Sequence, residues 1–302
     1  MINYVYISSL PRSGSTLLSM LLGSHETVFS LGEFVLFGQA LSNNSSCTCG
    51  KPIRECDFWS GVTEKLHQHD DPFSTLVYPF EFMASPLQRN LNKLYSYALL
   101  HHSPILMDIA TVYRKGYPYY MKKALNNSTI LLEILSHYVS NPDTILLDAS
   151  KTVTRLNQTL INKSFPVKVI ALVRDGRGTI NSWLKDEQKP FVETVKSWRF
   201  HMENQQKSLR SIKAKDKIFV RYEELCRNPE VELLRLCDFL EIPYQEKMLA
   251  MAGPFHMLGG NPGTYERTKT IRLDTGWEQK FDQEQLTLFN QLAGSLNKDL
   301  GY

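Results

Sequence analysis

The sequence lacks the features that indicate a membrane or nucleic-acid-binding protein. No apolar run approaches the roughly 18 to 20 residues that a membrane-spanning helix requires. The net charge is only +3, from 34 basic and 31 acidic residues, so the composition favours neither nucleic acid nor an anionic membrane surface as a partner. The opening segment, MINYVYISSL, has no basic region and no small-residue cleavage site of a signal peptide. We therefore expect a cytoplasmic protein.

Cysteine is scarce, and its five copies lie at Cys47, Cys49, Cys56, Cys226 and Cys237. An odd number of cysteines without a secretion signal argues against a disulfide scaffold. The first three cluster in CTCGKPIRECDFW and could hold a zinc ion if a residue such as His67 or His69 supplied a fourth ligand. The alternative is a tight loop of reduced or mutually bonded cysteines. Because the fourth ligand would have to come from elsewhere in the chain, we predict no metal ligands.

Four short aliphatic segments are typical of parallel strands that are buried on both faces. They are NYVYIS (3–8), ILLDA (145–149), VKVIALV (167–173) and KIFVRY (217–222). Each precedes a helix-like segment, at 14–23, 151–162, 177–187 and about 229–241, the last with an Asn-Pro start. This alternation predicts an α/β fold of the P-loop type, with a parallel sheet flanked by helices.

The chain of 302 residues, 42% of them hydrophobic, is predicted to form a single domain. Its core is expected at about 1–33 and 141–302, and the intervening 34–140 reads as a mostly helical, aromatic-rich insertion that binds the acceptor. The stretch 253–276 holds five glycines and predicts a long functional loop.

A loop of small residues follows the first strand. Aligning the P-loop pattern G-x-x-x-x-G-K-[ST] on Gly14 and Thr16 puts Ser15 in place of the lysine and Ser9 in place of the first glycine. The N–H groups of residues 13–16 and the start of the next helix are predicted to bind an anion. Arg12 and the hydroxyls of Ser15 and Thr16 add donors.

A second anion site is predicted after the third of these strands, in RDGRGTINSW. Arg174 lies at the strand tip and Ser182 on the next helix, a pair that suits a phosphate. Lys151 ends the preceding strand and should face the same crevice. A nucleotide with phosphates on both its 5′ and 3′ sides would span the two sites.

A nucleoside triphosphate is the alternative ligand. It would require a lysine at position 15 and a carboxylate for magnesium, which Asp148 could supply. A P-loop small-molecule kinase therefore remains the alternative function, and a nucleotide-binding module without catalysis is a third.

The stretches PRSGSTLL and VIALVRDGRGTINSW resemble the two nucleotide-binding signatures of sulfotransferases that use 3′-phosphoadenosine-5′-phosphosulfate (PAPS). The spacing is most similar to the bacterial and tyrosyl-protein branch, and the resemblance runs from residue 4 to about 280. It implies that the 5′-phosphosulfate is held by Arg12, Ser13, Gly14, Ser15 and Thr16. It implies that the 3′-phosphate is held by Arg174 and Ser182, with Tyr222 near it. A basic residue of the glycine-rich loop, Arg267, Lys269 or Arg272, is expected to close over the nucleotide.

The resemblance also implies the chemistry. The sulfuryl group would pass in line from PAPS to a hydroxyl or amine, with Arg12 and Lys151 stabilising the transition state and no metal required. Glu33 is the expected general base, and the alternative is that it is an ordinary carboxylate at a helix N-terminus. The aromatic insertion suggests a small-molecule acceptor, such as a bacterial secondary metabolite, a sugar or a cationic alkaloid. The sequence leaves the acceptor, O- or N-sulfation and the oligomeric state open.

Overall fold

The computed structural model describes residues 3–67, 135, 143–161, 165–186, 189–259 and 270–302. These form a sheet of five strands: β1 Asn3–Ser8, β2 Val28–Gly32, β3 Ile145–Lys151, β4 Val167–Val173 and β5 Lys217–Arg221. The order across the sheet is β2-β3-β1-β4-β5, and every neighbouring pair is parallel. The predicted α/β fold with a parallel sheet is confirmed. Because β1 lies between β3 and β4, the loops that follow these three strands open side by side.

Helices cover both faces of the sheet. They are α1 Ser15–Gly23, α2 Phe37–Ser42, α3 Asp57–His67, α4 Val153–Ile161, α5 Gly176–Asp186, α6 Phe191–Arg210, α7 Tyr222–Arg227, α8 Pro229–Leu240 and α9 Gln283–Asp299. Short 3-10 turns lie at Phe34–Leu36, Ala214–Asp216 and Glu246–Ala250. The predicted helices after β1, β3, β4 and β5 are confirmed as α1, α4, α5 and α8. Asn228 does precede α8, but its side chain donates to Glu224 instead of capping the helix.

The alternation of side chains along β1 separates two hydrophobic cores. Val5 and Ile7 face α1 and α8 in one of them. Tyr4 and Tyr6 face the other, where they pack with the segment that follows β2. Each fully buried aliphatic or aromatic side chain contributes roughly 1.5 to 3 kcal/mol through the hydrophobic effect, so both faces hold the loops at the sheet edge firmly in place.

Strand β2 was missed by the sequence analysis. It is short, it includes Ser30 and Gly32, and it pairs on one side only, with β3. Such an edge strand lacks the continuous aliphatic run by which the other four were found. Its position determines where Glu33, the next residue, lies.

The first part of the predicted insertion, up to residue 67, packs against the sheet. Four of its aromatic side chains are buried in the same core as Tyr4: Phe34, Phe37, Phe58 and Trp59. These four are therefore core residues and not the lining of an acceptor cleft. Tyr113, Tyr117, Tyr119 and Tyr120 lie outside the described residues, and the division into core and insertion stays a prediction. Within the described ranges, no helix is long and apolar enough to cross a membrane.

Candidate active site

The loop between β1 and α1 is shaped by two left-handed residues. Arg12 has φ 66° and Gly14 has φ 90°, and a Cβ at Gly14 would clash with the ring of Tyr222. Glycine is therefore required at residue 14, both for its backbone angle and for the approach of the tyrosine. Helix α1 begins at Ser15, so its N-terminus, with N–H groups that have no acceptor inside the helix, faces this loop.

The loop offers buried donors. Ser13 is 1% exposed, and its hydroxyl has no hydrogen-bond partner among the described residues. A buried hydroxyl without a hydrogen-bond partner lowers the stability of the fold, unless a bound ligand supplies the partner. The N–H of Ser13, expected to bind the anion, instead donates to the carbonyl of Leu10 at 3.3 Å. Ser15 is buried and Thr16 half-buried at the start of α1, while Arg12 is exposed.

Arg174, at the end of β4, connects this loop to the segment before α9. Its Nη1 donates to the carbonyl of Arg12 at 2.8 Å, and its Nη2 donates to the carbonyl and to Oδ2 of Asp274, each at 3.0 Å. Its guanidinium lies over the ring of Tyr222, 4.5 Å from the centroid. A Cβ at Gly178 would lie 3.0 Å from its Nε, so the glycine gives the guanidinium room beside α5. That Nε is buried and has no partner among the described residues.

Tyr222 closes the other side of this site. Its hydroxyl donates to the carbonyl of Arg272 at 3.2 Å and accepts from the N–H of Asp274 at 3.3 Å. Burial raises the pKa of Tyr222, so the phenol stays neutral and can donate. Ser182 is half-buried on the second turn of α5, eight residues after Arg174 in the sequence.

Glu33 and Lys151 form an ion pair across the ends of β2 and β3. The distance from Nζ to Oε1 is 2.6 Å, and the side chains of Lys151 and Glu33 are 14% and 25% exposed. Lys151 has φ 69°, an unfavourable left-handed conformation for a residue with a Cβ. Both side chains line one pocket together with Ser15, Thr16 and Leu258. The structure thus brings the predicted base, the predicted lysine and the anion-binding loop together.

Glu33 does not act as a helix cap. It precedes the 3-10 turn Phe34–Leu36, but its carboxylate makes no capping hydrogen bond. Its own N–H donates to the carbonyl of Leu258 at 2.7 Å, which fixes the backbone beside the pocket. The carboxylate is directed to Lys151 instead.

A comparison with known proteins identifies the family of the chain. The model of the Sulfotransferase family matches residues 5–246. The chain belongs to the sulfotransferase family. This supports the predicted class of enzyme, a sulfotransferase.

Relatives of this sulfotransferase share its fold at low identity. Protein-tyrosine sulfotransferase A of Caenorhabditis elegans is 28% identical over 97 residues, which is 30% of this chain and 26% of that protein. The sulfotransferase domain from the curacin biosynthetic pathway is 18% identical with a TM-score of 0.57, covering 98% of both chains. The sulfotransferase domain of the Synechococcus PCC 7002 olefin synthase is 20% identical with a TM-score of 0.51, covering 97% of this chain and 94% of that one.

Asp148 is not placed to hold magnesium in this sulfotransferase. It is fully buried, and its carboxylate accepts hydrogen bonds from the N–H and hydroxyl of Ser150, from the hydroxyl of Tyr4, and from Arg155 Nε at 3.4 Å. Its oxygens are thus engaged within the core. The Ser150 hydroxyl in turn accepts the N–H of Val35 at 2.8 Å, so this network supports the segment that follows Glu33.

Asp274 was missed by the sequence analysis, although its surroundings gave a signal. The stretch LDTGW places a glycine two residues after an aspartate, which is typical of a turn in which the carboxylate accepts the glycine N–H. The structure shows this hydrogen bond, from Gly276 to Oδ1, at 3.0 Å. Arg267 and Lys269, predicted to contact the donor, lie outside the described residues.

Proposed function

We propose that this enzyme transfers the sulfuryl group of PAPS to a hydroxyl or amine of a small, partly apolar acceptor. The observation that supports this most is the pocket that Glu33, Lys151, Ser15 and Thr16 line together. It brings a carboxylate, a cation and the N-terminus of a helix to one place, which are the groups that an in-line transfer between two oxygens requires.

The donor would lie along the edge of the sheet. The 5′-phosphosulfate would be held by the loop after β1, through Arg12, the Ser13 and Thr16 hydroxyls and the first N–H groups of α1. The 3′-phosphate would bind Arg174, whose Nε is buried without a partner among the described residues. Ser182 and Tyr222 would complete that end. Two of these groups, the Ser13 hydroxyl and Nε of Arg174, are buried without a partner among the described residues, and they lie at the two ends of the site, as a ligand with two anionic ends requires.

The proposed transfer step uses three side chains. The acceptor atom forms a bond to sulfur as the bond from sulfur to the 5′-phosphate oxygen breaks, leaving adenosine 3′,5′-bisphosphate (PAP). Glu33 takes the acceptor proton. Lys151 and Arg12 offset the negative charge that grows on the leaving phosphate.

The residues that line the pocket indicate what kind of acceptor it could bind. Leu258 and Met257 line it together with the ion pair, which favours an acceptor with an apolar part. We propose a small metabolite as this acceptor. A kinase reaction is disfavoured because position 15 is a serine and Asp148 is engaged in the core.

The proposal is tested by incubating the protein with sulfur-35-labelled PAPS and a panel of acceptors. The panel contains phenols, sugars, amines, hydroxylated lipids and a tyrosine-containing peptide. We expect label in one class of small molecule. Label only in the peptide would overturn the small-molecule assignment, and transfer of phosphorus from labelled ATP with magnesium would overturn sulfuryl transfer.

A further inference from the structure

Four side chains that the proposed reaction does not use converge beside the active site. They are Cys47, Cys49, Cys56 and His256, and their ligand atoms all lie within 4.8 Å of one another. The sequence predicted no metal ligands and offered His67 or His69 as a possible fourth partner for the cysteines. His69 and the side chain of His67 lie outside the described residues. Among the described residues, the structure places His256 beside the cysteines, 200 residues after Cys56. We propose that these four residues bind a structural zinc ion.

The distances fit the edges of a tetrahedron. Sγ of Cys47 and Cys56 are 3.6 Å apart, and Nδ1 of His256 lies 3.9 Å from the first and 3.2 Å from the second. With zinc–sulfur bonds of about 2.3 Å and a zinc–nitrogen bond of about 2.1 Å, tetrahedral ligand atoms lie about 3.6 to 3.8 Å apart. These three ligand atoms are therefore spaced nearly as zinc ligands are, and Sγ of Cys49 lies within 4.8 Å of each of them.

The backbone around the cysteines is shaped to present them together. Gly50 has φ 88° and donates its N–H to the carbonyl of Cys47 at 3.0 Å, and the N–H of Cys47 donates to the carbonyl of Lys51 at 2.9 Å. This tight turn brings Cys49 back towards Cys47. Cys56 comes directly before α3, so the first turn of that helix fixes its position.

His256 is held in place from two sides. Its ring stacks on Phe58, with centroids 5.6 Å apart, and its carbonyl accepts from Nε1 of Trp59 at 2.8 Å. The Thr48 hydroxyl, within the cysteine turn, donates to the carbonyl of Phe255 at 2.7 Å and accepts the N–H of Met257 at 2.8 Å. The histidine is thus fixed against the turn that carries two of the cysteines, as ligands of a structural metal must be.

The ligand set indicates which metal and which role. Three thiolates and one imidazole in a tetrahedral arrangement favour zinc over the hard cations magnesium and calcium. Four protein ligands leave no position for substrate, so the ion would be structural and sulfuryl transfer would not pass through it. The five cysteines, all within the described residues, form no disulfide. A sulfur separation of 3.6 Å is also far longer than a disulfide bond.

A zinc ion at this site would link two segments that are far apart in the sequence. It joins the cysteine turn to the segment that ends at Leu258. Leu258 donates its N–H to the carbonyl of Leu31 at 3.0 Å and accepts the N–H of Glu33 at 2.7 Å. Zinc would thereby hold the strand end that carries Glu33; this last consequence rests on the proposed function, whereas zinc binding itself does not.

The test is elemental analysis of the protein, expressed in zinc-supplemented medium without a histidine tag or chelator. We expect about one zinc per chain. Cys49→Ser should lose most of the metal while folding, because Cys49 is exposed whereas Cys47 and Cys56 are buried. Cys226→Ser, which changes a cysteine outside the cluster, is the matched control and should retain the zinc of the wild type.

Thermal unfolding supplies a second measurement should Cys49→Ser fail to fold. A strong chelator should lower the Tm of the wild type, and one equivalent of zinc should restore it. Metal-free wild type whose Tm does not respond to zinc would overturn the proposal. A disulfide between Cys47 and Cys56 in protein isolated under reducing conditions would overturn it as well. None of these measurements requires sulfuryl transfer, so their failure is distinct from failure of the proposed function.

Discussion

Nζ of Lys151 lies 2.6 Å from Oε1 of Glu33, and both side chains line the pocket at the start of α1. Lys151 ends β3 and Glu33 directly follows β2, and the two residues are 118 positions apart in the chain. In the proposed reaction, an ion pair at this position would orient the carboxylate towards the acceptor and place the ammonium next to the leaving group. The pair is therefore the expected centre of proton transfer and charge stabilisation.

Replacing Glu33 with glutamine should stop proton transfer while leaving donor binding intact. Glutamine keeps the size of the side chain but cannot take the acceptor proton, so turnover should fall by about 10²- to 10⁴-fold. The affinity for PAP, measured by calorimetry, should stay close to that of the wild type. Glu26→Gln, at an exposed site seven residues earlier, is the control and should leave turnover unchanged. Near wild-type turnover in Glu33→Gln would show that another residue is the base.

The loss of turnover caused by removing the Lys151 ammonium should be strongly coupled to the loss caused by removing the Glu33 carboxylate. Lys151→Met should lower turnover by about 10²-fold or more, because the growing charge on the leaving phosphate loses a cation and Glu33 loses its partner. The double variant with Glu33→Gln should lose much less than the product of the two single effects, since residues that act as a unit are not additive. Steady-state rates of the four proteins measure this coupling. Independent, multiplicative losses would contradict a paired role.

The carboxylate of Asp274 forms an ion pair with the Arg174 guanidinium, to which the 3′-phosphate is proposed to bind. Asp274→Asn removes a competing negative charge but keeps an acceptor for Gly276, so PAP should bind more tightly, by about 3- to 30-fold. Glu278→Gln, an exposed substitution on the same segment, should not change the affinity. Calorimetric titration of the three proteins with PAP gives the comparison. Weaker binding to Asp274→Asn would show that the carboxylate assists the nucleotide instead of competing with it.

The same carboxylate should make the stability depend on pH. Burial alone would raise the pKa of Asp274, but the hydrogen bond from Gly276 and the charge of Arg174 outweigh it and lower the pKa below its ordinary value of 3.8. A carboxyl whose pKa is lower in the folded state stabilises the fold above its unfolded pKa and loses that contribution as the pH falls through the folded value. The Tm difference between wild type and Asp274→Asn should therefore shrink below pH 3.8. A Tm difference that stays constant until Asp274 is fully protonated would contradict this expectation.

The sequence predicted the elements with strong local patterns. The aliphatic runs of β1, β3, β4 and β5 and the loop with Gly14 could be found because burial on both faces and the left-handed turn each impose a local composition. The edge strand β2, with Ser30 and Gly32 among its five residues, lacks the continuous aliphatic run of the others, yet it determines the position of Glu33. The orientation of Asp148 also depends on partners that no local pattern reveals.

Contacts between distant segments account for the other differences. His256 and the cysteines are about 200 residues apart, and Asp274 is 100 residues from Arg174, so no spacing rule links them. Such pairs are set by strand order and by the return of the chain to the sheet edge. They become visible only once the fold brings them together.

The enzyme is proposed to bind a nucleotide at two separate anion sites. The most direct test is the ratio of its affinity for PAP to its affinity for adenosine 5′-phosphate. Calorimetry of the wild type should show PAP binding at least about 10-fold more tightly, because a charge-assisted contact contributes about 1.5 to 3 kcal/mol. Arg174→Ala should bring the two affinities together, whereas Arg199→Ala, which removes an exposed arginine outside the site, should preserve the ratio. Equal affinity of the wild type for both nucleotides would contradict the account.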